Sequence, residues 1–307
     1  MGQNENSAYI IEGKSWVNNH VHILKMKDNI IDVYAQYYLN KSDLNPYITG
    51  AVVPKLTQSS LVNILIRVPP LSEQEKIVAE LDLLSGIIEK QKKQLKELDT
   101  LAQSIFYSMF GDPIDNEKGW PIDFLNNICD VRDGTHDSPS YYPEGYPLIT
   151  SKNISNGQIS FVNVNLICKK DFETISKRSK VDDGDILMPM IGTIGNPVIV
   201  KKDRDFAIKN VALIKFYKNS KILNTIIYAI LSNKNFDSHM KKINKGGTQK
   251  FLSLGDIRNF TIILPPLDLQ NLFAEKIEKI EKQKEAINKS IEETQKLFDY
   301  TMDKYFG

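Results

Sequence analysis

The chain has 307 residues, enough for two ordinary domains. Its 39 Lys and Arg stand against 38 Asp and Glu, a net charge of +1, which excludes a globally basic nucleic-acid binder and leaves only a local basic region to look for. A hydrophobic fraction of 41% and a charged fraction of 25% are those of a soluble globular protein. In chain order, HVHILKMK (20–27) reads as a strand and IIDVYAQYYLN (30–40) as a helix. Pro69-Pro70-Leu71 then opens a long helix. Its apolar residues Ile77, Leu81, Leu84, Ile88, Leu95, Leu98, Ala102, Ile105 and Met109, together with Gln91, keep an unbroken 4-3 spacing. The prolines prevent an earlier start, and Ser72 is the N-cap candidate, with Glu75 in the capping-box position. From 113 to 266 the chain is β-rich: YPLIT, QISFVNVNLI, DILMPMI, PVIVKK and NVALIKFY are separated by Gly, Asn, Asp and Pro. Within it only 221–243 has a helical period. Pro265-Pro266-Leu267 opens a second long helix, with Asp268 as its cap. The seam there is Phe273, Ile277, Ile280, Lys284, Ile287, Ile291, Thr294, Phe298, Thr301 and Tyr305. Each helix has about 38 residues and is about 57 Å long at 1.5 Å per residue.

The two halves repeat. Placing 48–77 over 244–273 puts Gly50 on Gly246, Leu56 on Leu252, Asn63 on Asn259, Pro69-Pro70-Leu71 on Pro265-Pro266-Leu267 and Gln74 on Gln270. The offset of 196 then holds without a gap to Phe110-Gly111 over Phe306-Gly307. Further upstream His20-Val21 falls on Asn210-Val211 at an offset of 190. Nothing near Met1 matches 114–190, so the first globular region is expected to lack its opening portion. Nor does that portion follow residue 307. The expected division is a partial globular domain at 1–70, a helix at 71–112, a complete domain at 113–266 and a second helix at 267–307.

A 3.5-residue apolar period sustained over this length points to a coiled coil. The intervening 112–264 is long enough to let the second helix return antiparallel, which would bring Gln91 towards Lys284 and Ile287. Two separate helices, each packed on its own domain, is the other reading. The fold class expected is α+β, with β-rich domains joined by two long helices forming an antiparallel coiled coil.

Catalytic signatures are missing. Gly13-Lys14-Ser15 lacks the earlier glycine of a phosphate loop, and Gly192-Thr193-Ile194-Gly195 reads as a turn between strands. His20, His22, His136 and His239 do not cluster with carboxylates at metal-ligand spacing. Cys129 and Cys168 have neither CxxC spacing nor a neighbouring His, and read as reduced, buried cysteines of a cytoplasmic protein. No signal peptide and no apolar run of about 18 residues is present. No catalytic residue, resident metal or cofactor is expected. Between 206 and 250, however, lie Lys209, Lys215, Lys218, Lys221, Lys234, Lys241, Lys242, Lys245 and Lys250 against one acid, Asp237. Such a stretch can neutralise phosphates, or it is a solvated helix face. Asn210, Thr248 and Gln249 beside it can read base edges. Arg132, Thr135 and His136 in the 132–136 loop, the pair Lys152-Asn153, and Thr193 are similar candidates, each also readable as a turn or cap residue.

These stretches resemble a known family. DGTHDSPSYYPEGYPLITSKNISNG (133–157), RSKVDDGDILMPMIGTIGN (178–196), GGTQKFLSLGDIRNFTIILPPL (246–267) and IRVPPLSEQEKIV (66–78) look like the DNA-specificity subunit of type I restriction-modification enzymes. The resemblance covers almost the whole chain. It implies two target-recognition domains, each reading half of a bipartite site in double-stranded DNA, held apart by an antiparallel helix pair. It implies two methyltransferase subunits carrying S-adenosylmethionine, and restriction subunits using ATP and Mg, as partners away from any membrane. The shortened first domain departs from this pattern, which leaves an assembly module, or half of a split subunit, as the alternative reading.

Overall fold

A computed structural model of the chain describes residues 8–18, 20–50, 54–155, 157–190, 196–233, 235, 236, 238 and 252–307. The chain forms two compact units, 1–97 with 283–307, and 98–282. Its helices include α1 (Asp32–Lys41), α2 (Leu71–Phe110), α3 (Lys169–Ser179), α4 (Asn224–Leu231) and α5 (Leu267–Phe306). Of these, α2 and α5 each run for 40 residues and contribute to both units.

In the first unit Ile77 and Leu81 near the start of α2 share a core with Met302 near the end of α5, beside Phe298, Tyr305 and Phe306. In the second unit Phe106 and Phe110, near the end of α2, pack edge-on against Phe273 near the start of α5, with ring centroids 5.6 and 5.5 Å apart. The helices are therefore an antiparallel coiled-coil pair. Ile77, Leu81, Leu84, Ile88 and Ile280 are buried, and Gln91, Leu95, Leu98, Ile277, Lys284, Ile287 and Ile291 are half-buried. Gln91 sits against Ser290 of α5, three residues beyond Ile287. Its Nε2 donates to Ser290 Oγ at 2.7 Å, while its Oε1 is buried without a hydrogen-bond partner. An unsatisfied buried carbonyl is costly, so Gln91→Leu is expected to raise stability by about 1 kcal/mol. Urea denaturation of wild type and variant checks this, and a stability loss would show that the Ser290 bond outweighs the orphaned oxygen.

The helix starts differ from the capping expectation. The carbonyl of Pro70 accepts from Glu73 N and Gln74 N, and the carbonyl of Pro266 accepts from Leu269 N and Gln270 N. The prolines themselves hold the cap position, which places Ser72 and Asp268 inside the first turn. Proline suits this end because the first turn needs no amide donor there and its φ is already fixed. The buried side chains of Gln74 and Gln270 then play equivalent parts. Gln74 accepts from Ile31 N and donates to the carbonyls of Asn29 and Pro69. Gln270 accepts from Leu223 N and donates to the carbonyls of Lys221 and Pro265. Each glutamine ties its long helix to the loop before a shorter helix of its own unit, α1 in the first and α4 in the second.

The second unit holds β1 (Ile122–Phe124), β2 (Cys129–Asp133), β3 (Tyr146–Ile149), β4 (Asn165–Ile167), β5 (Ile186–Pro189), β6 (Val198–Ile199), β7 (Ala207–Ile208), β8 (Val211–Phe216) and β9 (Thr261–Ile263). One sheet has the order β6-β5-β8-β2, antiparallel throughout. A second has the order β7-β3-β4, with β7 and β3 parallel. β9 pairs with β1. The central strands β5 and β8 are built from apolar runs because they are covered on both faces. Cys129 is buried, whereas Cys168, expected to be so, is half-buried just before α3.

In the first unit HVHILKMK is not a strand. Ile23 is 71% exposed, whereas its repeat counterpart Leu213 on β8 is fully buried. Leu213 is covered because β8 lies between β2 and β5, whereas 20–27 pairs with no strand among the described residues. A strand-like pattern without neighbours has no ladder to join.

Candidate nucleic-acid interface

Three connections meet at one edge of the second unit, where the two sheets adjoin. β2 ends at Asp133 and leads into Gly134-Thr135-His136. β7 leads through Lys209 and Asn210 into β8, crossing from one sheet to the other, and Asn210 makes that corner with a φ of 54°. β3 ends at Ile149 and leads into the turn at Ser151–Asn153. Backbone hydrogen bonds lace them together. Gly134 N donates to Val211 O, Thr135 N to Ile208 O, Asn210 N to Thr135 O, and Lys209 N to Ile149 O. Gly134 permits this approach, since a Cβ there would lie 2.3 Å from Ile208 O.

The side chains on this edge are partly committed to one another. His136 places Nδ1 2.8 Å from Asn210 Oδ1 and Nε2 2.8 Å from Asp133 Oδ2. Asp133 is buried, and its other oxygen accepts from Arg178 on α3. The hydrogen bonds to Asn210 and then to Asp133 raise the His136 pKa above its ordinary value of 6.5. A folded pKa above the unfolded one stabilises the protein most fully below about pH 6.5, and that share is lost as pH rises through the raised value. Urea midpoints between pH 5.5 and 8.5 are therefore expected to decline by a component that is absent in His136→Ala. Identical profiles for the two proteins would contradict this.

Lys209 Nζ lies 2.5 Å from Ser138 Oγ, and the Thr135 hydroxyl accepts from Asp137 N. Lys152 is exposed on the turn after β3. Two other candidates are turned towards the protein. Arg132 donates twice to Asp130 and once to the carbonyl of Arg178. Asn153 accepts from Thr150 N and Oγ1, closing its own turn. Of the basic stretch, Lys215 is an internal ion pair, with Nζ 2.6 Å from Asp185 and 2.9 Å from Asp182. Burial works against its charge, but these carboxylates hold its pKa above the ordinary value. It does not add to the phosphate-facing charge, whereas Lys218 and Lys221 are exposed. Thr193, Lys234, Lys241, Lys242, Lys245, Thr248, Gln249 and Lys250 lie outside the described residues. The pairing of Asp133 with Arg178 is missed by sequence reasoning. They lie 45 residues apart, and no local spacing joins them.

A loop-built edge carrying cations and amides, on a β-rich unit attached to paired long helices, defines a class of nucleic-acid reader in which a scaffold presents reading loops. The chain matches the family described as type I restriction modification DNA specificity domain over residues 5–99 and 117–295, and belongs to it. It is 28% identical over 307 aligned positions to a putative type I restriction enzyme specificity subunit of Haemophilus influenzae, covering 94% of this chain and 75% of that one. It is 24% identical to the type I restriction enzyme MjaVIII specificity subunit of Methanocaldococcus jannaschii, covering 93% and 74%. The fold is shared with the type I restriction-modification S subunit of M. genitalium, at a TM-score of 0.57 and 15% identity over 91% of this chain and 73% of that one. The protein is thus a DNA-recognition specificity subunit of a type I restriction-modification system. Among the described residues no helix is long and apolar enough to cross a membrane.

Proposed function

We propose that the chain acts without catalysis in the cytoplasm, reading DNA for two methyltransferase subunits that carry S-adenosylmethionine and for restriction subunits that use ATP and Mg. The edge formed by 133–138, 150–153 and 208–211 reads one half of a bipartite site. The observation that carries this is the lacing of three distant stretches into one edge presenting Thr135, His136, Lys152, Lys209 and Asn210. Lys152 and Lys209 supply charge for phosphates, while Asn210 offers an amide suited to base edges and is positioned by His136, whose two ring nitrogens are both bonded within the protein. Thr193, Lys245, Thr248, Gln249 and Lys250 are assigned to the same reading role on sequence grounds. Arg132 and Asn153 hold the loops in place.

The test is selection from a random duplex pool by the chain assembled with its methyltransferase partner. A recovered consensus supports the reading, and a pool without sequence preference defeats it. Lys209→Ala is expected to weaken binding about equally for all sequences and to lower the slope of log affinity against log salt by about 1. An unchanged slope would remove Lys209 from the phosphate contacts.

A further inference from the structure

The pair His136 and Asn210 has a property that the reading role alone does not require. Both ring nitrogens of His136 face oxygens, Asn210 Oδ1 on one side and Asp133 Oδ2 on the other. Both must then donate, and only the imidazolium carries two N–H groups. Asp133 is buried, and its second oxygen is held by Arg178, so Nε2–H stays directed at Asp133 in either protonation state. The proton that leaves to solvent is the one on Nδ1. A neutral ring presents a lone pair there, which repels Asn210 Oδ1. Turning the Asn210 amide by 180° restores a bond, with Nδ2 now donating to Nδ1. The turn breaks no other hydrogen bond of the amide among the described residues.

The groups acting on the ring are Asp133 from β2, Arg178 from α3 and Asn210 from the β7–β8 connection. Asp133 and the Asn210 carbonyl favour the charged ring, and Arg178 opposes it. The main chain of Asn210 cannot follow the amide, since its amide N–H is bonded to Thr135 O. The switch is therefore confined to the side chain.

We propose that Asn210 is a specificity-determining residue and that the proton on His136 Nδ1 sets which end of its amide faces the DNA. With the imidazolium, the amide NH2 faces outward and matches acceptors: purine N7, guanine O6 or thymine O4. With the neutral ring, the carbonyl faces outward and matches the amino groups of adenine or cytosine. The inference rests on the DNA-reading role proposed above.

Two measurements on the full chain test it. In 15N NMR of the free protein, the His136 ring and the Asn210 side-chain NH2 are expected to titrate with one shared midpoint above 6.5, and Asn210→Ala is expected to lower the His136 midpoint. Duplex selection with the methyltransferase partner at pH 5.5 and pH 8.5 is expected to show about a tenfold change in base preference at one position, the scale of one good base contact. In His136→Gln that change is expected to vanish. Independent titration of the two residues, a consensus that does not vary with pH, or a pH effect that survives in His136→Gln overturns the assignment alone. Loss of any consensus at both pH values removes the reading role and this inference with it.

Discussion

Gly134→Ala is expected to destabilise the second unit by about 3 kcal/mol and to weaken DNA binding at the same time. The added Cβ would sit 2.3 Å from Ile208 O, 2.5 Å from Ile208 C and 2.9 Å from Lys209 N. All three are backbone atoms, so no flexible side chain can give way. Relief requires the 133–138 loop to part from the β7–β8 connection, breaking the bonds from Gly134 N to Val211 O and from Thr135 N to Ile208 O. His136 and Asn210 would then separate. The measurement is urea denaturation together with duplex binding. Wild-type stability would mean that the loops do not need their close approach, and lost stability with intact sequence preference would separate the fold of this edge from its function.

The second large effect is expected at Gln270. Gln270→Leu keeps roughly the volume but strands Leu223 N and the carbonyls of Lys221 and Pro265, all partners of one buried side chain. Each buried group left without a partner costs about 1–3 kcal/mol, and relaxation recovers part of it, so a net loss of about 4 kcal/mol is expected. Gln270→Glu is expected to be at least as harmful. A carboxylate can still accept from Leu223 N, but it faces two carbonyls to which it cannot donate. Gln74→Leu should act in the same way on the first unit, through Ile31 N and the carbonyls of Asn29 and Pro69. Thermal denaturation of the three variants decides this. Losses below about 1 kcal/mol would show that water replaces the glutamine, and the loop-tying role would fall.

How much was legible in the sequence varies by element. The long helices were, because a 4-3 apolar spacing encodes a buried seam wherever the partner lies. So was the equivalence of Gln74 and Gln270, though not what these side chains hold. The loop groups bonded to them lie as many as 45 and 49 residues away, and a repeat shows only that something is kept. Helix α3 was missed, since KKDFETISKRS carries Phe172 and Ile175 as its only large apolar residues and reads as a polar connection. The 20–27 segment was misread for the opposite reason, since its pattern is that of a strand but it pairs with none among the described residues.

The candidate interface divides in the same way. Local sequence marked DGTH, Lys152-Asn153 and Lys209-Asn210 as polar groups at strand ends, but it did not show that they meet. Nor could it show that Arg132, Asn153 and Lys215 spend polar atoms on bonds to other parts of the protein, because ion pairs such as Lys215 with Asp182 and Asp185 form across 33 and 30 residues of chain.

By itself, then, the sequence determined the tandem repeat, the helix pair and the family, since each is a matter of period and order along one chain. The tertiary structure alone decided which side chains of the loop edge are available to a ligand. Availability depends on hydrogen bonds across distant segments, and the 2.8 Å contacts of His136 to Asn210 and to Asp133 exist only once β2, α3 and the β7–β8 connection have been brought together.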